Sequence, residues 1–422
     1  MGDCWFICEK KQESFDGFSI GNGTSVAILL SKQLKLRKGT HTIFSECISM
    51  IIVKPVVTRK EWNAFFAFPN DLYKGNKYFV PYLIADEKDT FSPKKNPAHE
   101  YCDTQLFLAY KDGKVVGRIA GLINNKLNAM KGMKQMRFTR WDVIDDIEVS
   151  KALFEAVFAW GKAKGMTEII GPIGFSDLDK QGLLVEGFDQ VGMFITLYNH
   201  PYYHEHLTKL GFVKDVDWIE YTVYTPKELI PRVKRISEMA QERHGYRLLE
   251  FTKKKEIIPY VQEIFHMYNE SYAHLYGFCP LTDGQIEMAV DQFFMVAQLD
   301  YIYVVVDKED AVIGFGLLIP SLSKAMQKSN GRLFPTGLFR ILRSLKRYDV
   351  LDMYLIAVKP EYFGRGVNAV ILHEGIKKAI EHNVVYAKTG PMLETNTYIR
   401  TQWRIFETEQ NKRRRCFKQV FK

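Results

Sequence analysis

Val358-Lys359-Pro360-Glu361-Tyr362-Phe363-Gly364-Arg365-Gly366-Val367-Asn368-Ala369 is the stretch on which the fold turns. An apolar, strand-like run (350–357) precedes it, and a helical pattern follows to about residue 382. A strand, a short Gly-rich turn and a helix start make an anion cradle. The free N–H groups of a first helical turn point at one spot, and the helix dipole favours negative charge there. Gly364 and Gly366 let the backbone approach a phosphate with no Cβ in the way. The spacing is not G-x-G-x-x-G, and no Gly-Lys-Ser/Thr follows. Neither a dinucleotide fingerprint nor a Walker loop is present.

Outward from this loop, one order of elements occurs twice. From Ile51 the pattern predicts a strand, a helix (59–66), a Pro- and Lys-rich loop to Pro97, and β-rich runs at 104–111 and 114–123 around Asp112-Gly113. Such runs about Asp-Gly predict a hairpin. A strand (137–144), a helix (150–164) stopped by Gly165 and a short strand (168–170) follow. The second half predicts a strand (246–251), helices (256–272, 283–299) and a hairpin (301–306, 312–319). The strand and Gly loop come next, then a helix, a strand (384–388), a helix (395–406) and a last strand (413–421). A charged, helical connector (226–245) separates a first half, 50–225, from a second, 246–422.

The Gly loop resembles the pyrophosphate loop of the GNAT acyltransferase superfamily, V-x-P-x-x-[Q/R]-x-x-G-x-[G/A], which holds the pyrophosphate of coenzyme A. Phe363 stands where Gln or Arg is usual, and Asn368 where Gly or Ala is usual. The repeated order is that of the GNAT fold. The resemblance implies an α/β (α+β) protein of two tandem GNAT-like domains, each on a mixed sheet. It also implies that Ala357 and Val358 pair with pantetheine, and that Phe363, Gly364, Arg365, Gly366, Val367, Asn368 and Ala369 surround the pyrophosphate. Asn396 stands where many members have a cofactor-contacting Asn. In the first half, Asp142-Val-Ile-Asp-Asp146 runs directly into a helix. Its aspartates would repel a pyrophosphate, so that half is read as a degenerate copy that binds no coenzyme A.

Composition bounds the rest. With 422 residues, 46% hydrophobic and 14% aromatic, the chain can build full-sized cores. A net charge of +9 suits phosphate-bearing ligands, an anionic membrane surface or nucleic acid without choosing among them. Six scattered cysteines with no C-x-x-C argue for a reducing, cytoplasmic compartment. No run approaches the ~18 apolar residues of a membrane helix. Residues 1–49 do not read as a signal peptide. Met50, directly ahead of Ile51-Ile52-Val53, is read as the natural start, and 1–49 as a disordered leader or upstream translation.

The first half also carries Gly171-Pro-Ile-Gly-Phe-Ser-Asp-Leu-Asp-Lys-Gln-Gly-Leu-Leu-Val-Glu-Gly-Phe-Asp189, then Tyr198-Asn-His-Pro-Tyr-Tyr203. A long loop after a central strand sits over the open end of the sheet, where function concentrates. In the plainer reading Asp177 and Asp179 cap a turn and Tyr198, Tyr202 and Tyr203 are core aromatics. Together with Asn76-Lys-Tyr-Phe-Val-Pro81, Asn96-Pro97 and Val116-Gly-Arg-Ile-Ala120, these segments resemble the two-domain GNAT-like proteins that include the bacterial ceramide synthases. The resemblance spans 50–422. It implies transfer of a fatty acyl group from a thioester to the amine of a sphingoid long-chain base, reduced or 3-keto, in sphingolipid biosynthesis. The donor would be acyl-CoA or acyl carrier protein.

Direct attack of an amine on a thioester needs a base, oxyanion donors and an acid for the thiolate. Glu186 is the first choice of base and Asp179 the second, since an acid in an apolar pocket has a raised pKa. His200 and His204 are weaker candidates. Trp403 replaces the usual thiolate-protonating Tyr, and Tyr398 is the nearest substitute. Asp177, Tyr198, Asn199, Tyr202 and Tyr203 are expected around the acceptor. No cluster has metal spacing and no nucleophile elbow occurs, so neither a metal nor an acyl-enzyme is expected. An insertion, 321–348, holds seven Lys/Arg and no acid, with Leu338, Ile341, Leu342 and Leu345 on one helical face. It reads as an interfacial membrane element or equally as a surface helix packing on its own domain, and from its place beside the acceptor side it could also cover an acyl chain.

Two rivals remain. One is a soluble N-acetyltransferase using acetyl-CoA on a small amine, amino acid or protein. The other is a non-catalytic protein that binds anions through Lys412-Arg413-Arg414-Arg415, although no nucleic-acid module is present. The plainer reading of that basic run is a solvated strand or helix end.

Overall fold

The computed structural model describes residues 26–28 and 50–421. Its first half contains β1 (Val26–Ile28), β2 (Ile51–Pro55), α1 (Arg59–Leu72), α2 (Ile84–Thr90), β3 (Cys102–Lys111), β4 (Lys114–Asn124), α3 (Asn125–Lys131), β5 (Gln135–Val143), α4 (Ile147–Ala163), β6 (Glu168–Gly171), β7 (Leu183–Glu186), α5 (Tyr202–Lys209) and β8 (Val213–Tyr224). The connector is α6 (Pro231–His244). Proline at its first turn fits a helix start, and Gly245 at φ +69° ends it. The second half contains β9 (Arg247–Leu249), α7 (Ile258–Tyr272), α8 (Asp283–Val296), β10 (Ile302–Val306), β11 (Val312–Pro320), α9 (Ser323–Ser329), α10 (Gly337–Ser344), β12 (Val350–Val358), α11 (Val367–Glu381), β13 (Tyr386–Lys388), β14 (Met392–Leu393), α12 (Thr397–Gln402) and β15 (Thr408–Val420).

One sheet runs through both halves in the order β1-β2-β3-β4-β5-β6-β15-β8-β13-β12-β11-β10-β9. The halves exchange strands at its centre. The last strand of the chain, β15, lies between β6 and β8 of the first half, with Phe417 opposite Gly171 and Arg414 opposite Trp218. In return β8 pairs with β13 of the second half, Val223 opposite Ala387. Among the described strands the parallel pairs are β5–β6 and β12–β13. Each is paired over only three residues, after which the strands splay apart.

β8 was not anticipated as a strand. Its sequence, Val213-Lys-Asp-Val-Asp-Trp-Ile-Glu-Tyr-Thr-Val-Tyr224, carries charges at positions that become buried. The partners explain this: Glu220 meets Arg414 and Lys412, and Asp217 meets Arg415 and Arg413. The basic run is therefore corrected. It is not solvated, since Arg414 is 1% exposed. Alternation along β15 turns Lys412 and Arg414 to one face and Arg413 and Arg415 to the other.

The leader expectation for 1–49 lies outside the described residues, apart from the backbone of β1, which pairs with β2. Among the described residues no helix is long and apolar enough to cross a membrane.

Candidate active site

The two splayed openings have different fates. In the first half, beyond Arg137 opposite Ile170, the gap is filled by the chain itself. The Ile173 N–H donates to the Phe138 carbonyl, and Arg137 donates to the Gly174 carbonyl. Arg140, with φ +50° at a bulge in β5, donates to Glu87 and Asp179, both at 2.7 Å. Lys180 closes on Glu87 at 2.6 Å. Burial alone would raise the Glu87 carboxyl, but Arg140 and Lys180 hold it well below the carboxylate range. The helix after this opening is closed to anions as well. Asp146 caps α4 by accepting from the Glu148 N–H, and it pairs with Lys111 at 2.8 Å.

In the second half, β12 and β13 part after Asp352 opposite Lys388, and the gap is open. A cavity of about 700 Å³ lies there, lined by residues of both halves. That falls within the ordinary range of ligand-binding cavities. Met353, Leu355, Leu317, Ile341 and Phe293 are among its many apolar walls. A bulge in β12 leaves Tyr354 without a partner across from β11. On the open edge the Ile356 carbonyl accepts from the Tyr272 hydroxyl at 2.9 Å, and the Val358 carbonyl from Ser271 at 3.0 Å.

Four polar atoms in the cavity wall are buried without a hydrogen-bond partner among the described residues: Asp177 Oδ1, Gln181 Oε1 and the hydroxyls of Tyr303 and Tyr354. Unpaired polar atoms are costly in an apolar interior, so each is a place where a polar group of a ligand could be met. Asp177 stands out. Its Oδ2 accepts from the Tyr268 hydroxyl of α7. Burial pushes its carboxyl up to about 6, against the pull of that hydroxyl.

The Gly loop enters α11 with Gly364 at φ +75° and Gly366 at φ +89°. A Cβ on Gly366 would stand 2.7 Å from the Ala240 Cβ of α6, whereas one on Gly364 would meet open space. The N–H groups of Gly364, Gly366, Val367 and Asn368 have no protein acceptor among the described residues. Arg365 is exposed and lies over the Tyr362 ring. Asn368 donates to Gln402 of α12 at 2.9 Å. Asn396 lines the cavity and caps α12 by accepting from the Ile399 N–H. Tyr398 falls in α12, and its side chain lies outside the described residues. Trp403 is buried in the cavity wall.

Other expected site residues lie elsewhere. Glu186 is 60% exposed and pairs with Arg413 at 3.2 Å; it does not line the cavity. Asp179 lines it but is held by Arg140. Asn199 clamps β7, accepting from the Leu184 N–H and donating to the Leu184 carbonyl. Tyr202 and Tyr203 both donate to the Val143 carbonyl, and Tyr198 bonds Asn76 and the Phe188 carbonyl. These aromatics close the first half's own core. Tyr268, Tyr272, Tyr303, Tyr354 and Gln181 were missed; only the aromatic spacing of α7 hinted at two of them. Among the described residues no group of three or more His, Cys, Asp or Glu is arranged to hold a metal.

No protein-family model matches the chain. It is 29% identical over 376 residues to Protein YghO of Escherichia coli (strain K12), covering 87% of this chain and 94% of that one. It is 27% identical over 298 residues to the bacterial ceramide synthase of Caulobacter vibrioides, covering 70% of this chain and 76% of that one. A tandem GNAT protein from the clavulanic acid biosynthesis pathway superposes with a TM-score of 0.52 at 11% identity, over 88% of this chain and 98% of that one. The glucosamine N-acetyltransferase region of a fungal multi-domain β-N-acetylglucosaminidase gives 0.52 at 13%, over 88% and 38%. The fold is that of tandem GNAT proteins.

Proposed function

We propose that this GNAT-fold, ceramide synthase-like acyltransferase moves a fatty acyl group from a thioester to the primary amine of a sphingoid long-chain base. The observation that carries the reading is the cavity itself. It is apolar, open along the splayed edge of β12, and carries the unpaired Asp177 Oδ1 in its wall. An acetyltransferase for a small soluble amine has no use for so much apolar wall, whereas a long chain buries against it at ~0.8 kcal/mol per methylene.

The free N–H groups of Gly364, Gly366, Val367 and Asn368 suit a pyrophosphate at the start of α11. Arg365 would add a charge-assisted contact. Acyl-CoA therefore fits this half as donor, and the thioester would lie along β12. Asp177 would accept the ammonium on Oδ1 and take one proton from it. The freed nitrogen lone pair then forms the C–N bond as the C–S bond breaks, and the second proton shed by that nitrogen passes to the departing thiolate, leaving a neutral amide and a free thiol. A carboxyl near 6 is ionised at neutral pH yet close enough to exchange protons. The Tyr354 hydroxyl would donate to the carbonyl oxygen in the transition state, and Gln181 Oε1 would accept from a hydroxyl of the base.

The test is incubation of the purified chain with palmitoyl-CoA or acetyl-CoA and with sphinganine or 3-ketosphinganine, products read by mass spectrometry. An N-palmitoyl product that disappears in Asp177→Asn is expected. Turnover of acetyl-CoA alone would replace this reading with the small-amine acetyltransferase.

A further inference from the structure

Leu338 and Leu342 of α10 line the cavity and also face solvent, Leu342 at 51% exposure. Met295 of α8 does the same at 69%. Side chains that do both mark a mouth. Beside it stand Phe334 and Phe339, 76% and 67% exposed, neither of them in the cavity wall. Soluble monomers seldom gather exposed apolar side chains of this size in one patch without a partner for them.

Charge surrounds the patch. Residues 321–348 contain Lys324, Lys328, Arg332, Arg340, Arg343, Lys346 and Arg347 and no acid. Among the described residues only Lys324 has a carboxylate partner, Asp349 at 3.6 Å. The segment is anchored to the rest of the fold by hydrogen bonds. Gln327 donates to the Lys77 and Phe79 carbonyls, the Ile84 N–H donates to the Gly331 carbonyl, and Ser344 donates to the Ser321 carbonyl. Arg340 donates to the Lys328 carbonyl, and none of Lys328, Arg332, Arg340, Arg343, Lys346 and Arg347 has a carboxylate partner among the described residues.

We propose that this mouth docks on an anionic lipid bilayer, so that the cavity opens directly to membrane-resident chains. Apolar side chains ringed by cations match a bilayer surface, where rings and leucines enter the acyl boundary and cations meet headgroup phosphates. An acidic protein would satisfy the cations but leave the apolar rim of a chain-sized cavity without a reason. The inference rests on the acyl-transfer reading for what passes through the mouth, and not for the docking itself.

The experiment is sedimentation of the full chain with phosphatidylglycerol–phosphatidylcholine vesicles and with phosphatidylcholine vesicles alone, near physiological salt. Binding to the anionic vesicles is expected, weakening as salt rises. Phe334→Ser with Phe339→Ser, and separately Arg343→Glu with Lys346→Glu, should each lower it about tenfold. Circular dichroism and turnover of a dispersed short-chain amine should not change. Wild-type protein left in the supernatant, variants that bind as the wild type does, or capture of an acidic carrier protein by these residues in place of vesicles would each overturn the docking. Turnover without vesicle binding sinks the docking alone. Vesicle binding without turnover on any thioester sinks the acyl-transfer reading alone.

Discussion

The Tyr268 hydroxyl donates to Oδ2 of Asp177, tying the long loop of the first half to α7 of the second. This contact leaves Oδ1 unpaired in the cavity wall. If that carboxylate is the base, Asp177→Asn lowers kcat by ~10²-fold or more. The wild-type rate should rise with pH to about 6 and then level, because the carboxyl must be ionised to accept a proton. Tyr268→Phe removes a hydroxyl that stabilises the carboxylate, so the rising limb should move to higher pH. A merely structural role for Tyr268 would lower the rate without moving that limb. Glu186→Gln, on the exposed edge, should leave kcat within about twofold, since surface ion pairs are worth little.

The Gly loop makes a separate prediction about the donor. Arg365→Ala should raise KM for acyl-CoA about tenfold, the loss of one charge-assisted contact. It should leave KM unchanged for an acyl-pantetheine lacking the pyrophosphate. Gly366→Ala should be worse than Gly364→Ala, because only the former drives a Cβ into Ala240 while both strain the backbone. Equal effects on both donors would move the pyrophosphate elsewhere.

How far the sequence could be read depends on what each residue touches. The Gly-rich turn into a helix, both hairpins and the helix within 226–245 are local patterns, and each of these elements forms. The insertion helix also forms, and the four apolar residues read on one of its faces all line the cavity. The strand exchange was not legible, because nothing local in 408–420 says which half's strands it will join. For the same reason Lys412 and Arg414 looked like surface cations: their partner, Glu220, lies in a strand far away in sequence. Glu186 is expected to act from an apolar pocket, yet it stands exposed beside Arg413, and burial is what raises a carboxyl toward base work. Asp177, nine residues earlier, is the one that α7 covers. The tyrosines of α7 declare themselves only when β12 arrives beside them.

Chain length is a quantitative test of the cavity. Each methylene buried contributes ~0.8 kcal/mol. Shortening the acyl donor by two carbons within the range the cavity holds should therefore lower kcat/KM by ~15-fold. Met353→Trp places a larger side chain in the wall and should shift the preferred donor toward shorter chains. A flat chain-length profile would show that the chain lies outside the cavity.

Asp352 governs stability rather than chemistry. It is 1% exposed on β12, and burial pushes its carboxyl up to about 6 against the attraction of Lys388 and Lys412. An unfolded aspartate titrates near ~3.9. The folded state therefore holds this proton more tightly, and the contribution is undiminished below pH ~4. It is lost as pH rises through 6, by about 3 kcal/mol for a two-unit shift. Asp352→Asn cannot ionise. Denaturant melts at several pH values should show the wild type weakening relative to the variant between pH ~4 and ~7, and a constant difference would refute the assignment.

The exchanged strand makes the two halves mutually dependent. Without β15, the edges of β6 and β8 lose their ladders, and Glu220 is buried with Arg414 and Lys412 both gone. Leaving one member of a buried ion pair costs ~3–5 kcal/mol, a large part of a domain's stability. Residues 50–226 expressed alone should therefore fail to fold, and so should 227–422, which would carry β15 without β6 and β8 to pair with. Expressed together, the two pieces should recover a folded complex, since every strand again finds its partners. Circular dichroism and proteolysis of each piece alone and of the mixture would read this out. A stable, cooperatively melting 50–226 fragment would show that the first half closes its sheet without the exchange.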